Sequence, residues 1–274
     1  MAKAIMIQGT SSGVGKTILT TALCRIFTRD GYKTAPFKAQ NMTANTALTG
    51  SGEEIAVSQI IQAKAAGVQP EASMNPIVLK PSPDGCGVQL VLNGSPCGAA
   101  DAYKLKGKGK ELLRMVMEAY GRLAQRYDVI VIEGAGSPVE LNLNADDIVN
   151  MGLAKGVCAP VLLVADIDRG GAFASLYGTL GLLDQAERAL VKATILNRFR
   201  GELAYFYDGK AILEKITGIP VAGVVPHISL ALPEEDDLYS AQAAPPDSDY
   251  TPQFDVIEGA VRQALDMELV YKIL

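Results

Sequence analysis

Gly9-Thr10-Ser11-Ser12-Gly13-Val14-Gly15-Lys16-Thr17 is the stretch of this sequence most able to do chemistry. Glycines let backbone N–H groups close around phosphate oxygens. A helix starting at Lys16 adds partial positive charge at the same point. Lys16 reaches toward β- and γ-phosphates, and the Thr17 hydroxyl suits a Mg²⁺ ion. The pattern predicts ATP binding by Gly9, Thr10, Gly13, Val14, Gly15, Lys16 and Thr17. Five residues separate Gly9 from Gly15, one more than the common spacing, so the loop is a lengthened variant.

Other polar residues fall after apolar runs. Glu133 closes the run Val129–Ile132 and is followed by Gly134-Ala135-Gly136-Ser137. An acid at a strand tip is where a P-loop enzyme places a metal-binding carboxylate, although a capped strand-to-loop turn also explains it. Glu53 and Glu54 follow Gly52 near an expected helix start, a place the helix dipole alone favours for acids. Lys38 lies just past the second expected strand, facing the phosphate pocket or solvent, with Gln40, Asn41 and Asn45 offering amides to a polar substrate. Asn142, Asp146, Asp147, Asn150, Asp166, Asp168, Arg169 and Asn197 crowd later loop positions. A helix cap explains Asp146 or Asp147 equally well.

The elements that position these groups are legible as an alternation. Ala4–Ile7 read as a strand, and Ile18, Leu19, Ala22, Leu23, Ile26 and Phe27 as one face of a helix. Strands are expected at 33–37, 88–92, 128–133, 160–165, 191–196 and 220–225. Helices are expected at 54–67, 109–126, 172–183 and 203–217. Continuous apolarity at 129–132 marks a strand covered on both faces. The fold class is therefore α/β: a doubly wound, mostly parallel sheet with helices on both faces and ligands at the strands' carboxyl ends. Residues 1–237 form the expected P-loop domain. An Ala, Pro, Asp and Ser-rich stretch at 238–252 reads as a linker, and 253–274 as a helical tail.

Composition excludes several classes. A net charge of −5 across 274 residues, no Trp and 6% aromatics disfavour nucleic-acid binding. No apolar run approaches a membrane span, and no signal segment precedes the first strand. Four cysteines without C-x-x-C pairing suit a reducing cytoplasm. His227 is the only histidine, which leaves no histidine metal site or triad.

Several runs together resemble the cobyric acid synthase family, within the dethiobiotin synthetase-like group of P-loop amide-forming enzymes. They are Gln8 to Thr17, Pro36 to Met42, Met74-Asn75-Pro76 with Leu79-Lys80-Pro81, Glu133 to Pro138, Asp147 to Gly152, Asp166 to Gly171, and Asn197 with Phe199-Arg200-Gly201. The resemblance implies ATP-Mg²⁺-dependent amidation of side-chain carboxylates of adenosylcobyrinic acid a,c-diamide, a step of cobalamin biosynthesis. It implies Thr17, Glu54 and Glu133 as Mg²⁺ ligands, Lys16 and Lys38 in phosphoryl transfer, and Asn197 at adenine. The corrinoid is expected near Gln40, Asn41, Asp147, Asp166 and Asp168. Family members continue into a glutaminase domain that these residues do not contain. Phe254–Leu274 resemble the family's last helix, as if that domain were excised between Gln242 and Tyr250. Free ammonia or a separate glutaminase is then the expected nitrogen source, with a homodimer one assembly open to the chain. A dethiobiotin synthetase-like ligase and a non-catalytic nucleotide-binding subunit are the alternative readings.

Overall fold

The structure, a computed structural model, describes residues 2–81, 87–100, 107–142, 147–229 and 249–274. Its centre is a six-stranded parallel sheet. In chain order the strands are β1 (Lys3–Gly9), β2 (Thr34–Phe37), β9 (Val129–Glu133), β10 (Val161–Asp166), β11 (Val191–Phe199) and β12 (Val221–Pro226). In space they run β12-β11-β10-β1-β9-β2. All the adjacent pairs are parallel.

Alternate residues of each strand feed opposite cores, as the two-residue pleat requires. Ile5 and Ile7 join Val129, Val131, Leu162 and Val164 on one side. Helix α1 (Lys16–Arg29) covers that side with Leu19, Leu23, Ile26 and Phe27. Two C-terminal helices, α8 (Thr251–Ala264) and α9 (Met267–Ile273), add Ile257, Val261 and Val270. Met6, Ile130, Ile132 and Leu163 face the other way. There they meet α3 (Gly109–Ala124), whose Val116, Ala119, Tyr120 and Leu123 recur at helical spacing. Helices α4 (Met151–Val157), α5 (Ala172–Leu182) and α7 (Tyr207–Thr217) complete that layer. A short helix, α6 (Gln185–Leu190), links α5 to β11.

Beside the main sheet lies a second one of order β3-β6-β7-β8, made of β3 (Gln40–Met42), β6 (Ile77–Pro81), β7 (Val88–Leu92) and β8 (Ser95–Ala100). The expected strand at 88–92 belongs here, antiparallel to β6. The expected helix at 54–67 begins later. Residues 54–56 form β5 (Glu54–Ala56), which pairs with β4 (Thr46–Leu48) before α2 (Val57–Ala65) starts. Long-range partners win over local propensity there: Glu54 N–H donates to Gly94 O at 2.9 Å and Val57 N–H to Asn45 O at 3.0 Å. Residues 203–206 turn as a 3₁₀ helix ahead of α7, so the expected single helix is divided. The acidic stretch Leu232–Asp237, Asp146, Cys86 and residues 238–248 of the expected linker lie outside the described residues.

Candidate functional site

The strand order changes direction across β1, which puts the carboxyl ends of β1, β9 and β10 side by side, the usual crevice of such sheets. Register makes this specific: Ile7 pairs with Glu133 and Gly9 with Val164. Gly134 N–H donates to Ile7 O at 2.9 Å, so the loop after β9 is tied to the strand that feeds the P-loop.

Gly9 and Gly15 are required by close approach. A Cβ on Gly9 would meet Val14 Cγ2 at 2.6 Å and Ser11 O at 2.9 Å. Gly15 takes φ +92°, a left-handed conformation disfavoured for other residues, and a Cβ there would run into the Asn197 amide. That amide donates from Nδ2 to Val14 O at 2.8 Å, so the tip of β11 braces the loop from behind. No acid occupies the first turn of α1. The Lys16 ammonium is buried and bridges Ser11 O at 3.1 Å and Gly136 O at 3.3 Å, joining the P-loop to the glycines after Glu133.

Glu133 is the hub. Its Oε1 accepts from Thr17 Oγ1 at 2.9 Å and Lys38 Nζ at 3.0 Å, and its Oε2 accepts from Gln62 Nε2 at 2.5 Å. The Glu133 side chain is 0% exposed and that of Lys38 5%. A buried carboxylate needs such compensation. Thr17, Lys38 and Glu133, chosen from sequence, are thus brought together. Sequence reasoning misses Gln62; two glutamines three apart, Gln59 and Gln62, on one face of α2 are the signal that points to it.

Mg²⁺ binds through one or two carboxylates and phosphate oxygens while keeping waters. The Thr17 hydroxyl with the Glu133 carboxylate is a donor set of that kind, so the residues fit the implied ion. Gln62 Oε1, on the other arm of the amide that donates to Glu133, is buried without a hydrogen-bond partner. Among the described residues no cluster of three His, Cys, Asp or Glu side chains is arranged to hold a metal by itself.

The remaining residues fall elsewhere. Glu54 sits on β5, not at a helix start, and accepts from Lys80 Nζ and Thr46 Oγ1, both at 2.5 Å. Burial raises its pKa, but the Lys80 and Thr46 hydrogen bonds and the Lys80 charge outweigh this and hold the carboxyl below its usual range. Asp147 spends its carboxylate on backbone: Oδ1 accepts from Val149 and Asn150, Oδ2 from Gly152, all within 2.9 Å. It anchors the start of α4. Asn150 in turn grips Ala135 and Ser137, fixing the loop after Glu133. Asp166 pairs in register with Asn197 at the tips of β10 and β11, 3.6 Å from both Arg198 Nη1 and Arg169 Nε. Asp168 pairs with Arg200 at 2.9 Å. Asn41 hydrogen-bonds Ser58 and Gln59 on α2.

A doubly wound parallel sheet with a P-loop, a hydroxyl and a buried acid at its carboxyl edge defines a nucleotide-binding domain. Residues 5–237 match the family model described as CbiA, the CobQ/CobB/MinD/ParA nucleotide binding domain, and the chain belongs to that family. Within it the similarity is to cobyric acid synthases. That of Lachnoclostridium phytofermentans is 51% identical over 245 residues, 87% of this chain and 47% of the relative. That of Salmonella gallinarum is 50% identical over 236 residues, 86% and 47% respectively. The chain spans about half the length of these curated relatives. No helix among the described residues is long and apolar enough to cross a membrane.

Proposed function

We propose that this chain is an ATP-dependent amide ligase acting on side-chain carboxylates of a corrinoid, adenosylcobyrinic acid a,c-diamide, in cobalamin biosynthesis. The observation that carries the reading is the convergence of Thr17 and Lys38 on Glu133 beside the P-loop. The 50–51% identity to cobyric acid synthases supplies the substrate class.

In this reading the P-loop amides and the α1 N-terminus bind the ATP phosphates. Lys16 neutralises charge on the transferring phosphoryl group, with Lys38 on its far side. Thr17 and Glu133 hold Mg²⁺, which when bound offsets phosphate charge. A substrate carboxylate oxygen attacks the γ-phosphorus and ADP leaves, giving an acyl phosphate. Ammonia then attacks the acyl carbon, phosphate departs, and the nitrogen sheds a proton to give a primary amide. No enzyme nucleophile is needed; positioning and electrostatics suffice. Asn197 lies at adenine, and Asp166 and Asp168 face the corrinoid. Asp147 acts by holding the start of α4.

The test is amide formation and ADP release with ATP, Mg²⁺, ammonium chloride and either corrinoid acids or diaminopelargonate. Corrinoid-dependent turnover supports the reading. Turnover with diaminopelargonate alone would overturn it in favour of a dethiobiotin synthetase-like ligase, and ATP binding without any turnover in favour of a nucleotide-binding subunit.

A further inference from the structure

Glu133 divides its two oxygens between different elements. Oε1 faces Thr17 of α1 and Lys38 after β2, while Oε2 faces Gln62 of α2. Both Gln62 and Glu133 are buried. An ionised carboxylate only accepts hydrogen bonds, so the Gln62 amide must turn its NH₂ group toward it. The amide oxygen is then left buried with no hydrogen-bond partner. An unsatisfied buried amide oxygen is a cost, carried on a helix face that Gln62 shares with Ser58, Gln59 and Ala65.

The donor's type matters as much as its place. Two ammonium groups, Lys16 and Lys38, already stand by this loop and carboxylate. A third cation at Oε2 would oppose a divalent ion, and an acid would supply no donor once ionised. A neutral amide fixes the carboxylate's rotation without adding charge. Glu54, the other acid expected near the ion, is held by Lys80 and Thr46 instead.

We propose that Gln62 is a positioning residue for Glu133. It locks the carboxylate so that Oε1 is presented beside the Thr17 hydroxyl, and it sets the affinity for the nucleotide's divalent cation through Glu133. The inference rests on the nucleotide–Mg²⁺ reading above.

Gln62→Met keeps the side chain's length and removes the donor. Gln62→Asn keeps the amide and withdraws it by one methylene. ATP affinity is measured by calorimetry with chelator and then across a Mg²⁺ series. Mn²⁺ binding to the ATP complex is followed by electron paramagnetic resonance. Both variants should need about 10–100-fold more Mg²⁺ or Mn²⁺ for the same tightening, while ATP affinity in chelator stays at the wild-type value. A folded variant with a wild-type metal midpoint would overturn the proposal. So would an equal loss of ATP affinity with and without metal, which marks a merely structural amide. Should Gln62→Met fail to fold, Gln62→Asn decides by the same two criteria. If wild-type ATP binding itself ignores Mg²⁺, the metal reading falls and takes this proposal with it, an outcome distinct from a variant-specific failure.

Discussion

Lys38 Nζ lies 3.0 Å from Glu133 Oε1, and the two side chains are 5% and 0% exposed. The pair joins the segment after β2 to the tip of β9. Removing one member leaves a buried charge with less compensation. Glu133→Gln should therefore destabilise the fold by about 3–5 kcal/mol and remove the Mg²⁺ dependence of ATP binding. Lys38→Met added to Glu133→Gln should restore part of the stability, because no charge is then stranded. Thermal melts of the two single variants and the double variant check this. Strict additivity would mean that the two groups do not interact.

Lys16→Ala should lower ATP turnover by about 10²–10³-fold or more while circular dichroism remains that of the parent. Gly15→Ala should abolish nucleotide binding by a different route, since its Cβ meets the Asn197 amide and its φ of +92° is left-handed. Turnover near the parent's value in Lys16→Ala would show that phosphate binds elsewhere.

Asp147→Asn places an NH₂ group where Gly152 N–H now donates at 2.8 Å. Two facing donors and a lost charge at a helix start should cost about 1–3 kcal/mol. Through Asn150, the loop Gly134–Ser137 should loosen and ATP affinity fall with it. Undiminished thermal stability, with corrinoid-dependent turnover alone reduced, would return Asp147 to a substrate-binding role.

Asp30 at the end of α1 accepts from Arg262 of α8 and from Tyr271 of α9. Partial burial raises its pKa, but those hydrogen bonds and the Arg262 charge outweigh it and bring the carboxyl below its usual value. A folded pKa beneath the unfolded one, about 3.9, gives stability that is present above that value. It is lost as pH falls through the folded value. Asp30→Asn should lower stability at neutral pH by about 1 kcal/mol or less, given surface screening, and the gap should close in acid. A gap that stays constant with pH would exclude the charge contribution.

Glutamate release from glutamine by the 274-residue chain should be absent. Such chemistry needs a thiolate activated by a base. Cys24 is buried, and desolvation, with the Glu133 charge second, pushes its thiol far up. Cys97 and Cys158 are exposed, and their sulfurs contact the carbonyls of Ser95 and Lys155 rather than His227. Amide synthesis should proceed with ammonium chloride. Glutamate release lost in Cys86→Ala, Cys97→Ala or Cys158→Ala would refute this.

The sequence by itself determined the nucleotide loop, because phosphate binding there is done by backbone and needs local residues only: glycines, a lysine and a hydroxyl between a strand and a helix. It also determined the parallel sheet, since Val129–Ile132 and Val161–Ala165 are apolar at every position, as strands covered on both faces must be. Glu133 was legible for the same reason, being the first polar residue where such a run stops. Only the tertiary structure decided which partners these groups meet. Gln62 is 71 positions from Glu133, and a glutamine within a helix carries no local mark of the carboxylate it will face. Glu54 looked like a helix-start acid until β4 paired with β5 and β6 brought Lys80 beside it. Asp147, expected near the substrate, has its carboxylate spent on the start of α4, and Asn150 spends its amide on the glycine loop. Polar side chains have alternatives that depend on distant neighbours. Backbone geometry and apolar periodicity do not, and that is where the sequence spoke most plainly.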